Sequence, residues 1–167
     1  MPAPESTVGK NVVFYDGVCA MCNGTVRFIL ERDPGGQFSF AALQSDMARQ
    51  TLQRHGRDPQ DLDTMYLITG YQQADERVYA RSDAVVETLR RLGGLWRVLS
   101  WLRVLPVSWR DFAYGLLVKN RYRTFGKYDT CPLPPVEWRA RFIASDETTD
   151  EHRSENSQPP MNADKRR

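Results

Sequence analysis

The chain has 167 residues, enough for one globular domain with a real core and short for two. Hydrophobic residues make up 41% and charged residues 26%, an ordinary globular balance. A formal net charge of +2 is too small to argue for nucleic acid or an anionic membrane as the partner, so charge names no partner at all.

The first ten residues hold no apolar stretch that could form a signal-peptide core, and 1–10 reads as a flexible N-terminus. Asn11–Tyr15 (Asn-Val-Val-Phe-Tyr) is a short β-branched and aromatic run, the pattern of a buried strand, and it leads into the turn signal Asp16-Gly17. A helical pattern covers 19–32 and stops at Asp33-Pro34-Gly35-Gly36; Cys22, Val26, Ile29 and Leu30 fall on one of its faces. Residues 37–42 predict a second strand, and Ser45 a cap for a helix ending before Gly56. Residues 64–69 and 76–80 predict two strands joined by a hairpin that opens at Gly70. Ser82 is then expected to cap a helix carrying Val85, Val86, Leu89 and Leu92 and ending at Gly93-Gly94.

The order β-α-β-α-β-β-α needs a helical crossover between parallel strands one and two, while strands three and four pair through a tight turn. That predicts a mixed α/β sheet with helices on its faces. Residues 95 to about 120 continue as helices broken near Pro106. Residues 121–135 read as a polar, aromatic-rich loop holding Cys131, followed by a short helix to about Ala144. One domain is expected over 11–143, with 144–167 a charged, disordered tail. The most apolar region, 95–118, is interrupted by Arg97, Arg103, Pro106, Arg110 and Asp111, so no membrane span is expected. Leu95, Val98, Leu99, Leu102 and Leu105 read as a helix packed on the core, in preference to an exposed docking or membrane-surface face.

Three cysteines without an export signal argue for a reducing, cytoplasmic location and for catalytic or metal-binding thiols over structural disulfides. Cys19-Ala20-Met21-Cys22 sits where a strand ends and a helix begins. Two intervening residues at the first helical turn bring both sulfurs to one side, within bonding reach. The helix N-terminus supplies unpaired N–H groups and partial positive charge, both favouring a thiolate. Bringing a thiol of pKa ~8.5 near 7 needs about 2 kcal/mol of preference for the anion. An exposed helix end supplies ~0.3–1 kcal/mol, so hydrogen bonds must add the rest.

Cys22 shares the apolar stripe and should point inward, whereas Cys19 should lie at the tip, open to a disulfide. Cys19 would then attack and Cys22 resolve the mixed disulfide. Asp16, which would raise a neighbouring thiol's pKa, fits best as proton acceptor for Cys22 during resolution. The expected activity is thiol–disulfide exchange of the protein-disulfide reductase type, on a disulfide-containing protein or a small-molecule thiol, with no cofactor and no nucleic acid.

Asp16, Cys19 and Cys22 form the Asp-x-x-Cys-x-x-Cys pattern for which the DCC family of thiol–disulfide oxidoreductases is named, and the sequence resembles that family from about Val12 to Cys131. The resemblance includes the strand entering Asp16-Gly17, the helix start Ala80-Arg81-Ser82-Asp83-Ala84, and the stretch Asn120-Arg121-Tyr122-Arg123 leading to Cys131-Pro132. It implies a thioredoxin-like fold, which the strand order matches independently, and disulfide reductase activity. One departure is plain. Thioredoxin-like proteins usually place a cis-proline just before the third core strand, facing the dithiol, and Asp63 stands there in this chain. A carboxylate at that place would alter substrate docking and could raise the pKa of Cys19.

The alternatives use the same residues. Zinc could take Cys19, Cys22 and Cys131, with Asp16, Asp129 or His55 as fourth ligand, but no second C-x-x-C or Cys/His pair accompanies them. A non-enzymatic interaction domain could use Trp96, Trp101 and Trp109. A phosphatase of the haloacid dehalogenase type needs Asp-x-Asp, and Phe14 occupies the nucleophile's place. Arg121, Arg123 and Lys127 among Tyr122, Phe125 and Tyr128 read as a packed loop, and His55 as a surface residue. Cys131 is expected near the dithiol.

Overall fold

A computed structural model describes residues 7–128 and 136–143. Its elements follow the expected order: β1 (Asn11–Tyr15), α1 (Ala20–Arg32), β2 (Phe38–Ala42), α2 (Asp46–Arg54), β3 (Tyr66–Thr69), β4 (Arg77–Ala80) and α3 (Arg81–Leu92). Next come α4 (Trp96–Leu99), a 3-10 turn at Ser100–Val104, α5 (Val107–Phe125) and a 3-10 turn at Val136–Arg141.

The sheet order is β2-β1-β3-β4. β1 and β2 run parallel, paired Asn11 to Phe38 through Tyr15 to Ala42, with α1 as the crossover. β3 lies antiparallel to β1, and β4 antiparallel to β3. This is the mixed α/β sheet expected, and it is compatible with a thioredoxin-like fold. Beyond the β2 edge, the Ile143 N–H donates to Phe40 O at 2.7 Å, so the chain's late segment covers what would be an open edge.

Both faces of the sheet are buried, and the alternation of β1 shows how. Val12 and Phe14 join Leu43, Ala48, Leu52 and Ile68 under α2. Val13 and Tyr15 join Val26, Ile29, Leu30, Phe38 and Leu67 under α1 and α3. The Ser45 hydroxyl accepts the Ala48 N–H at 3.2 Å and caps α2, as its position predicts.

Three expectations fail. Ser82 is no cap: α3 begins at Arg81, and the Ser82 hydroxyl donates to Asp111 of α5. Arg81 itself enters the helix at φ 54°, a left-handed conformation uncommon for a residue with a Cβ, with its N–H on Met65 O at 3.1 Å. Residues 121–125 are not loop but the last turns of α5.

The third failure is the apolar run after Gly94. Leu95, Val98, Leu99, Leu102 and Leu105 do not pack on the core; they are 43–75% exposed. The helical spacing that aligned them is broken where α4 gives way to the 3-10 turn after Leu99. Trp96 is the partial exception, set edge-on against Phe28 at 4.7 Å. No described helix is long and apolar enough to cross a membrane.

Of the expected flexible N-terminus, residues 1–6 lie outside the described residues, while Thr7 is buried and the Gly9 N–H donates to Tyr71 O at 2.8 Å. The expected disordered tail also lies outside them.

Candidate functional site

Cys19 is the N-cap of α1. It keeps an extended backbone while its sulfur accepts the Cys22 N–H at 3.2 Å, the place a serine or aspartate oxygen commonly takes. The turn that delivers it is closed from several sides. The Cys19 N–H donates to Asp16 O at 3.2 Å, and the Val18 N–H to Asp16 Oδ1 at 3.2 Å. Asn23 reaches back from α1, its amide donating to Gly17 O at 2.8 Å and Cys19 O at 3.0 Å. The end of β1 and the start of α1 are thus locked around the first cysteine.

Both Cys19 and Cys22 are free thiols. Cys22 packs against the core cluster of Val26 and Ile29, as its stripe predicts, yet it is half-buried, whereas Cys19 is completely buried. The expected exposure of Cys19 at the helix tip is therefore wrong in this state. The reason is residues 126–128, which follow α5 and pair with 18–20: the Tyr128 N–H donates to Val18 O at 2.8 Å and the Ala20 N–H to Gly126 O at 3.4 Å. Gly126 turns the chain there at φ 86°, where a Cβ would be strained.

Burial pushes the Cys22 thiol far above the ordinary range; its hydrogen bond to Cys19, the charge on Cys19 and Asp16 add to this, and Arg121 opposes it.

Asp16 is buried and saturated. Its Oδ1 accepts the Val18 N–H and Gln44 Nε2, the latter at 3.0 Å; its Oδ2 accepts the Tyr122 hydroxyl at 2.5 Å and Arg121 Nη2 at 3.3 Å. A carboxylate has about four lone-pair sites, so these donors fill it. Asp63 is mostly exposed and pairs with Arg121 Nη2 at 2.8 Å, linking the segment before β3 to the same cation. Among the described residues every peptide bond is trans. The Met65 N–H at the entry to β3 is taken by the Tyr114 hydroxyl of α5 at 2.9 Å.

Arg121, Tyr122 and Tyr114 escaped the sequence reading as site residues. Among the described residues, Arg121 is the largest fully buried side chain, and its Nε has no partner there. The stretch Asn120-Arg121-Tyr122-Arg123 was visible as part of a resemblance, but alternating cations and aromatics gave no sign that one cation turns inward. Cys131 lies outside the described residues. His55 pairs with Glu76 at the end of α2, and no group of three His, Cys, Asp or Glu among the described residues is placed to hold a metal.

A family model described as DCC1-like thiol-disulfide oxidoreductase matches residues 13–127. The chain is 37% identical over 136 residues to the uncharacterized protein YuxK of Bacillus subtilis (strain 168), covering 81% of this chain and 96% of that protein. It is 34% identical over 125 residues to the chloroplastic DCC family protein At1g52590 of Arabidopsis thaliana, covering 74% of this chain and 70% of that protein. No solved structure matches it significantly.

Proposed function

The chain belongs to the DCC1-like thiol-disulfide oxidoreductase family, and from that premise we propose that it reduces protein or small-molecule disulfides by exchange through Cys19 and Cys22. One observation carries the mechanism: the Cys19 sulfur caps α1, accepting the Cys22 N–H at 3.2 Å. A thiolate there meets the positive end of the helix and two donors, the Cys22 N–H and the Cys22 thiol.

Cys19 as thiolate attacks one sulfur of the substrate disulfide, forming the Cys19–substrate bond as the substrate S–S bond breaks. The first substrate sulfur leaves as a thiolate and is protonated from Cys22, directly or through water. The Cys22 thiolate then attacks Cys19, forming the Cys19–Cys22 disulfide and expelling the second substrate sulfur, which takes a proton from water. The substrate gains two electrons and the protein loses them; an external thiol of unassigned identity must restore the dithiol.

Burial of Cys19 requires residues 126–128 to lift from 18–20 before attack, so this pairing controls access. Asp16 acts as a positioning residue: its carboxylate, already holding four donors, orients Arg121 and Tyr122 and closes the turn before Cys19. Asp63 extends that network to the segment before β3. A reducing compartment, such as the cytoplasm, suits a dithiol kept ready in this form.

The test is thiol trapping on the full chain with oxidised glutathione. Cys22→Ser should accumulate a mixed disulfide on Cys19, read by peptide mass mapping, and Cys19→Ser should accumulate none on Cys22. The reverse pattern would exchange the two roles, and adducts on neither thiol would remove the proposal.

A further inference from the structure

The core-facing positions of α5 are polar where those of an ordinary surface helix are apolar. Its inward face is built from polar side chains: Arg110 Nη1 meets Asp83 Oδ1 at 2.8 Å, Asp111 takes the Ser82 hydroxyl, Tyr114 takes the Met65 N–H, and Arg121 meets Asp16. Trp109, Phe112 and Leu116, spaced i, i+3 and i+7, line the opposite face and are 74%, 76% and 57% exposed. Trp101 and Val104 in the preceding 3-10 turn are 76% and 84% exposed, extending the apolar surface. Large apolar side chains exposed together along one segment in this way mark a surface that meets something apolar.

Charge selects the occupant. Five solvent-exposed cations, Arg97, Arg103, Lys119, Arg123 and Lys127, accompany the patch between residues 95 and 127. The one acidic residue in that stretch, Asp111, is engaged by Ser82. A twofold contact between copies would bring these cations against themselves, which disfavours self-association. Residues 144–167 contain one large apolar residue, Met161, and so offer little with which to bury two tryptophans. Aromatic and leucine side chains flanked by Lys and Arg suit the boundary between acyl chains and anionic headgroups.

We propose that the 95–127 segment docks the protein on the surface of an anionic lipid bilayer, with Trp101, Trp109 and Phe112 inserted among the acyl chains and the five cations on the headgroups. Trp109 and Arg121 are about 18 Å apart along α5 at 1.5 Å per residue and on opposite faces of it, so docking would leave the Arg121 face turned away from the lipid. This docking does not depend on the redox reading.

The experiment is flotation of the full chain with vesicles of phosphatidylcholine alone or mixed with phosphatidylglycerol, alongside tryptophan emission. Binding and a blue shift are expected with phosphatidylglycerol, weakening as salt rises. The combined Trp101→Ser, Trp109→Ser and Phe112→Ser variant should lose about tenfold or more in affinity. Arg97→Gln with Arg103→Gln and Lys119→Gln should lose the preference for phosphatidylglycerol. These side chains are exposed, so circular dichroism and the urea midpoint should match the parent; if the triple apolar variant fails to fold, Trp109→Ser alone carries the comparison. No flotation with phosphatidylglycerol, or equal flotation with both vesicles, overturns the proposal. So does a dimer in solution that the same apolar substitutions dissociate.

Discussion

Arg121 and Asp16 lie 105 residues apart in sequence and meet in the interior, Nη2 to Oδ2 at 3.3 Å, with side chains 2% and 1% exposed. Through this contact the last turns of α5 are tied to the turn before Cys19. Arg121 also reaches the Tyr122 hydroxyl at 2.7 Å, and its guanidinium lies over the Tyr122 ring.

Removing the cation strands a buried carboxylate. Arg121→Met should therefore cost about 3–5 kcal/mol in urea unfolding. Asp63→Asn breaks a pair whose carboxylate is 74% exposed, and should cost less than about 1 kcal/mol. Equal losses from the two variants would show that the Asp16 contact is not the dominant one.

Cys22 should be a poor nucleophile while the chain is folded. Its thiol is raised by burial above all, and that cause survives in Cys19→Ser. In this variant, alkylation of Cys22 near neutral pH is expected to run at least about tenfold slower than in the same chain unfolded in urea, each pKa unit being a factor of ten in thiolate. Comparable rates in the two states would contradict the assignment of Cys22 as the protonated partner.

The acid limb of stability should carry a contribution from Glu76. Burial acts to raise its pKa, but hydrogen bonds from His55, Arg54 and the Gln72 N–H outweigh this and hold it below the ordinary 4.5. A depressed carboxylate contributes stability above its unfolded value, and loses it as pH falls through the folded one. Glu76→Gln should accordingly shrink the drop in unfolding free energy between about pH 5 and pH 3. An unchanged drop would assign it to other groups, Glu87 among them.

The alkaline limb should depend on Tyr114. Burial pushes this hydroxyl up to about 12 from 10.0. A raised pKa means stability present below the unfolded value and lost as pH rises through the folded one, here from about 10 to about 12. Tyr114→Phe should flatten that loss. It should also cost about 1–3 kcal/mol at neutral pH by leaving the Met65 N–H unpaired. Denaturant melts of both proteins at neutral and alkaline pH would decide, and parallel profiles would refute the role.

The local elements were legible from the residues alone. The run at 11–15, the stop at Asp33-Pro34-Gly35-Gly36, the Ser45 cap and the hairpin opened by Gly70 each depend on residues a few positions apart, so periodicity and turn chemistry located the strands and set the two cysteines at the start of α1, whereas the antiparallel β1–β3 pairing came from the fold. The covering of Cys19 came from long-range packing, because residues 126–128 arrive from over 100 positions away. That packing likewise turned Arg121 inward and left Leu95, Trp101, Trp109 and Phe112 exposed. Polar partners on α3 and beside β1 and β3 claimed the inner face of α5, and no pattern confined to that helix records which of its faces the rest of the chain will satisfy.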